Sequence, residues 1–84
     1  MAKVKSWFSL DEVAEALGVA KRAVWETMLC YPEFVQPLVA VDGHLAFSRR
    51  DRRRLGFIKS ARTRGFTEPE IRERLTAAAS PAVA

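Results

Sequence analysis

A glycine set between two short apolar stripes constrains this chain more than any other feature. From Ser9 to Leu29 it reads SLDEVAEALGVAKRAVWETML. Leu10, Val13, Ala14 and Leu17 fall at i, i+3, i+4 and i+7, one face of a helix about two turns long. Ser9 and Glu12 stand at the spacing of a capping box, so the start of that helix is marked as well as its face. Gly18 stands where the backbone can turn left-handed and stop the helix. Val19 fills the angle, and Lys21 and Arg22 open a second helix whose buried face is marked by Val24 and Met28. The spacing predicts helices over about Leu10–Leu17 and Lys21–Leu29, joined by a Leu17-Gly18-Val19 turn.

What can be built around such a pair is bounded by size. At 84 residues the chain makes one small domain with a modest core. Hydrophobic residues make up 49%, which suits a globular fold and not a disordered one. Cys30 is the only cysteine and His44 the only histidine, so an internal disulfide, a cysteine zinc site and a histidine-based triad all lack their partners. No convergent set of His, Cys and carboxylates is in view, and the reading is of a non-enzyme without cofactor or metal. No charged-then-apolar leader opens the chain, and no apolar run approaches the ~20 residues of a membrane span.

Beyond the helix pair, Met1 to Lys5 is a short basic lead-in, and Trp7 and Phe8 cover one end of the core. Cys30 to Pro37 forms a loop that pins Phe34 and Val35 inward, with Cys30 a small buried residue at the end of helix two. Leu38–Val41 and His44–Phe47 flank Asp42-Gly43, which predicts a hairpin about a two-residue type I′ turn. That register sets Leu38 opposite Phe47 and Ala40 opposite Leu45 on the face toward the helices. A hairpin behind such a helix pair is a wing.

Ser48 and Asp51 cap a third helix running to about Arg64, which buries Leu55, Ile58 and Ala61 with Phe57 flanking. Gly65 ends it. Thr67 and Glu70 cap a fourth helix, whose stripe is Ile71 and Leu75. Residues 1–76 form the domain and 77–84 a flexible tail or linker. The fold class is mostly α with one β-hairpin, a winged helix-turn-helix followed by a helix pair.

The charge is segregated. The net charge is +4, yet Arg49, Arg50, Arg52, Arg53 and Arg54 crowd into six positions. Arginines at a helix start oppose its dipole, which phosphate contact would offset. Arg49 and Arg50 lie closest to the wing; Arg53 and Arg54 are alternatively partners for acidic residues of the first or fourth helix. On the second helix Lys21, Arg22, Trp25 and Glu26 are the outward or edge positions. They form either a plain solvated face or a groove-reading one, and Trp25 is equally a roof over the core. His44, beside the hairpin turn, is an exposed turn residue or a contact to a minor groove or backbone.

The run SLDEVAEALGVAKRAV, the hairpin ending in Phe47-Ser48 and RRLGFIKSARTRGFTEPEIRERL together resemble the DNA-binding domain of MerR-type regulators. That family's pattern L-x-F-I-x-x-A-x-x-x-G-F-T-x-x-E-I-x-x-x-L is carried by Leu55, Phe57, Ile58, Ala61, Gly65, Phe66, Thr67, Glu70, Ile71 and Leu75. Three departures stand out. Trp25, Glu26 and Thr27 replace an arginine and two tyrosines usual in the family. The segment PEFVQPLVAVDGH leading into the wing is more similar to excisionase and AlpA-like proteins. The family's long dimerising helix and effector region have no counterpart in these residues, as in a small sensor-less relative or one part of a longer chain.

The resemblance implies sequence-specific binding of double-stranded DNA by a small bacterial or phage transcription regulator, cytoplasmic and nucleoid-associated. Helix two would enter the major groove. The wing and the arginine cluster would hold the backbone, giving a DNA-binding set of Lys21, Arg22, Trp25, Glu26, His44, Arg49, Arg50 and Arg53. Partners are duplex DNA and a second copy of the chain, with no membrane and no small-molecule effector. The alternatives are an excisionase-like or terminase-small-subunit-like architectural module, and a protein-interaction module that has lost DNA contact.

Overall fold

The computed structural model describes residues 7–79; the basic lead-in and the last five residues of the tail lie outside the described residues. The elements are β1 (Trp7–Phe8), α1 (Leu10–Leu17), α2 (Lys21–Cys30), β2 (Leu38–Val39), β3 (Leu45–Ser48), α3 (Arg49–Thr63) and α4 (Glu68–Ala79). The expected fold class holds, four helices with a winged hairpin, and the hairpin gains a third strand. Trp7 and Phe8 pair antiparallel with Ser48 and Phe47, so the sheet order is β1-β3-β2. Two residues carry no readable alternation, and the partner strand supplies the order.

Local chemistry sets the element ends as the spacing predicted. The Ser9 hydroxyl accepts from the Glu12 N–H at 3.1 Å, and the Glu12 carboxylate accepts from the Ser9 N–H at 2.8 Å. Gly18 is left-handed at φ 69°, which lets the following Val19 N–H reach back to the Ala14 carbonyl at 3.0 Å. Ser48 and Asp51 make the second capping box, and Thr67 with Glu70 the third. Helix α4 continues to Ala79, past the expected onset of the tail at Ala77.

One core joins all four helices. It takes Val13 and Ala14 from α1, Val24 and Met28 from α2, Leu55, Ile58 and Ala61 from α3, and Ile71 and Leu75 from α4. Phe47 of β3 and Tyr31 and Val35 of the connecting loop complete it. Cys30, expected to be buried, is exposed. Two positions on from Met28 it is turned about 200° round the helix axis. Tyr31 instead continues the stripe Val24, Met28, Tyr31 at i, i+4, i+7, and its side chain takes the inward place.

The hairpin register also differs from the expected one. Leu38 pairs with Ala46 and Val39 with Leu45. The Ala40 N–H donates to the His44 carbonyl at 2.8 Å, and the Gly43 N–H to the Ala40 carbonyl at 2.9 Å. The loop is therefore three residues, Val41 to Gly43. A type I′ turn needs positive φ at both central positions, and here only Gly43 has it, at 85°. The longer loop leaves Asp42 unstrained, and its carboxylate accepts from the His44 N–H at 3.0 Å. The one-residue slip takes Leu38 off the face it was expected to share with Phe47, leaving it 58% exposed.

Candidate nucleic-acid interface

Eight residues were singled out from sequence, and the fold divides them into two groups. At the start of α2 the N-cap is Ala20, which offers no side-chain acceptor, and the first turn holds no acid. Its leading amides and the Lys21 and Arg22 cations stand together at an exposed helix start. Lys21 Nζ lies 3.0 Å from the Asp11 carboxylate of α1, and Arg22 Nε lies 3.3 Å from the Glu26 carboxylate one turn on. Both pairs are largely exposed, so each contributes roughly 0–1 kcal/mol. Trp25 does not roof the core; it is 44% exposed. Lys21, Trp25 and His44 line one depression between α2 and the wing tip, with Asp11, Gly43 and Leu45.

The second group stands at the other end of β3. That strand is four residues long, about 13 Å, and leads from beside His44 into α3. Arg49 and Arg50 are exposed and line a groove with Trp7, Gln36 and Leu38, while Arg53 lines a groove with them toward Ala78 of α4. None of the three makes an ion pair among the described residues. Arg54, expected to pair with an acid, donates instead to the Phe34 carbonyl at 2.7 Å. The Arg52 guanidinium lies over the Phe8 ring, 5.1 Å from its centroid. Two of the five clustered arginines thus serve the fold and three face outward.

Asp51 anchors that end. It is the only buried charged residue among the described residues, with 6% exposure. Its carboxylate accepts from Ser48 N–H at 3.4 Å and from Gln36 N–H at 3.3 Å, tying the segment before the wing to the start of α3. Sequence spacing finds the first bond. The second joins residues 15 apart and has no local signal.

A polar clasp at the opposite end was missed altogether. Arg72 of α4 donates to Glu33 at 2.7 Å and to the Cys30 carbonyl. Arg62 of α3 donates to Glu68 and to the Thr27 hydroxyl, each at 3.3 Å. Both guanidinium groups lie over the Tyr31 ring, at 4.8 and 5.5 Å. The Arg72 hydrogen bond holds the Glu33 carboxyl below the usual range. Burial first, then the facing Glu68 carboxylate, pushes the Tyr31 hydroxyl above its ordinary value. Among the described residues no group of three or more His, Cys, Asp or Glu side chains is placed to hold a metal ion. No described helix is long and apolar enough to cross a membrane.

No family model matches the chain, and no curated protein matches it. Among solved structures the chain is similar to HiNmlR, a MerR family regulator lacking the sensor domain, bound to promoter DNA. The two superpose with a TM-score of 0.70 at 12% sequence identity. The fold is that of a MerR-like winged helix-turn-helix. The match covers 86% of this chain and 54% of that one, so the chain spans about half the length of the regulator. At this identity the side chains differ almost everywhere, and the likeness is one of backbone path.

Proposed function

We propose that the chain is a double-stranded DNA-binding module of a transcription regulator, bacterial or phage and cytoplasmic, that recognises sequence through α2. The observation carrying this reading is the shared fold with a MerR family regulator bound to promoter DNA. In this reading α2 enters the major groove with Lys21, Arg22, Trp25 and Glu26 toward the bases and adjoining phosphates. His44 at the wing tip and Arg49, Arg50 and Arg53 at the wing base hold the backbone on either side. That those three arginines make no ion pair among the described residues supports it, because phosphates would relieve their mutual repulsion at a helix start. A module of this size buries limited surface, so two copies on one site would supply the specificity. The chemistry is binding and not catalysis.

Titration of labelled duplex DNA at low and moderate salt tests this. Binding is expected at low salt and weaker at moderate salt, with further loss in Arg22→Ala and in Arg49→Ala/Arg50→Ala. No binding at low salt, or variants indistinguishable from wild type, would overturn it. A second reading, a protein-interaction module, draws on Lys21 and Arg22 both being neutralised by carboxylates and on Leu29 being 59% exposed. A DNA-architectural module of the excisionase or terminase-small-subunit kind draws on the proline-flanked segment from Pro32 to Pro37; cooperative binding to direct repeats would favour it.

A further inference from the structure

Resting on the DNA-binding reading, we propose that Trp25 reads the 5-methyl group of a thymine in the major groove, with Lys21 donating to the same base's O4. Trp25 is 44% exposed, and its indole is neither part of the buried core nor among the half-buried groups packed on it. A large aromatic residue left nearly half exposed on a small domain keeps apolar surface open to a partner. Its surroundings are specific. Lys21 lies one turn before it on the same side of α2, and Gly43 and His44 of the wing tip close the far side of their shared depression. The Asp11 carboxylate, 3.0 Å from Lys21 Nζ, lines the same depression and holds the ammonium there.

An apolar face next to the Lys21 ammonium, which only donates and keeps two N–H groups beyond its bond to Asp11, matches one base edge. In the major groove thymine alone presents a methyl, and the neighbouring position is the O4 acceptor. Cytosine lacks the methyl and presents an amino donor there, which a lysine ammonium cannot accept from. Guanine offers acceptors without a methyl, so Lys21 alone would tolerate it and Trp25 would gain nothing. The pair therefore discriminates by combination, and Trp25 is the specificity-determining member.

The test starts from duplexes enriched from a random-sequence library by the full chain. Each thymine of an enriched duplex is replaced singly by deoxyuridine, which removes the methyl and keeps O4. For the wild type, one or a few positions should show about fourfold weaker binding, the value of one buried methyl-sized group. In Trp25→Ala that penalty should vanish, while melting stays near wild type because the indole is outside the core. In Arg49→Ala/Arg50→Ala overall affinity should fall with the thymine–uracil ratio intact. Equal penalties in wild type and Trp25→Ala, or none anywhere in wild type, would overturn the proposal while leaving DNA binding standing. Absence of binding to any duplex at low salt would remove the DNA reading itself, and this inference with it.

Discussion

Tyr31 is fully buried, and its hydroxyl faces the Glu68 carboxylate without a hydrogen bond of normal geometry among the described residues. The ring is what the fold uses, packed in the core and covered by Arg62 and Arg72. Removing the hydroxyl should therefore matter little: Tyr31→Phe is expected within about 1 kcal/mol of wild type in urea unfolding. Tyr31→Ala leaves a cavity and should cost about 3–5 kcal/mol in the same measurement. Gly18 makes a complementary case, because its value is conformational and not steric. At φ 69° with nothing within 4 Å of an added Cβ, Gly18→Ala should cost about 1–2 kcal/mol from backbone strain alone. Gly18→Asn should cost less, since asparagine tolerates the left-handed region better.

At the scale of elements, the molecule is held at two ends by different chemistry. The wing base is joined to α3 by Asp51, whose carboxylate serves the helix cap and the Gln36 amide at once. The far end is joined by the Arg72 clasp between α4, Glu33 and the end of α2. Glu33, Glu68 and Glu70 all have carboxyls held below the ordinary range. The causes are, in turn, the Arg72 hydrogen bond, the nearby Tyr31 hydroxyl together with the Arg62 hydrogen bond, and the Thr67 backbone N–H. A carboxyl lowered in the folded state adds stability above its unfolded value of about 4.3, and that stability is lost as pH falls through the folded value. The melting temperature should accordingly decline on acidification below about pH 4.5. In Arg72→Gln the Glu33 contribution disappears, so that variant should melt lower at neutral pH and show a shallower decline toward acid.

For the whole molecule, the arrangement of charge is the property that matters for a polyanionic partner. The net charge is only +4, but outward cations gather at the wing base while Lys21 and Arg22 are locally balanced by Asp11 and Glu26. On the DNA-binding function proposed above, affinity for duplex DNA should depend on salt chiefly through Arg49, Arg50 and Arg53. Each phosphate contact contributes about 0.9 to the slope of log affinity against log salt. Arg49→Ala/Arg50→Ala should thus lower that slope by about 2, whereas Glu26→Gln, which frees Arg22, should raise affinity without lowering it. Anisotropy titrations over a salt series separate these outcomes.

Local periodicity and cap spacing determined most of the fold. Both helices of the opening pair, the glycine between them, three capping boxes and the stripes of α3 and α4 could be read directly, because each depends on residues within one or two turns. Tertiary structure decided what depends on partners distant in the chain. Trp7 and Phe8 became a strand because β3 lay beside them, and the hairpin took a three-residue loop because only Gly43 bears positive φ. Tyr31 displaced Cys30 from the interior because the stripe of α2 extends one residue past the helix. The same division runs through the candidate interface. Basic and aromatic positions were legible as types, but only the folded chain showed which arginines are engaged internally. Only it showed Lys21, Trp25 and His44 lining one depression, since neither ion-pair partners nor the meeting of a helix with a wing tip is encoded in local spacing.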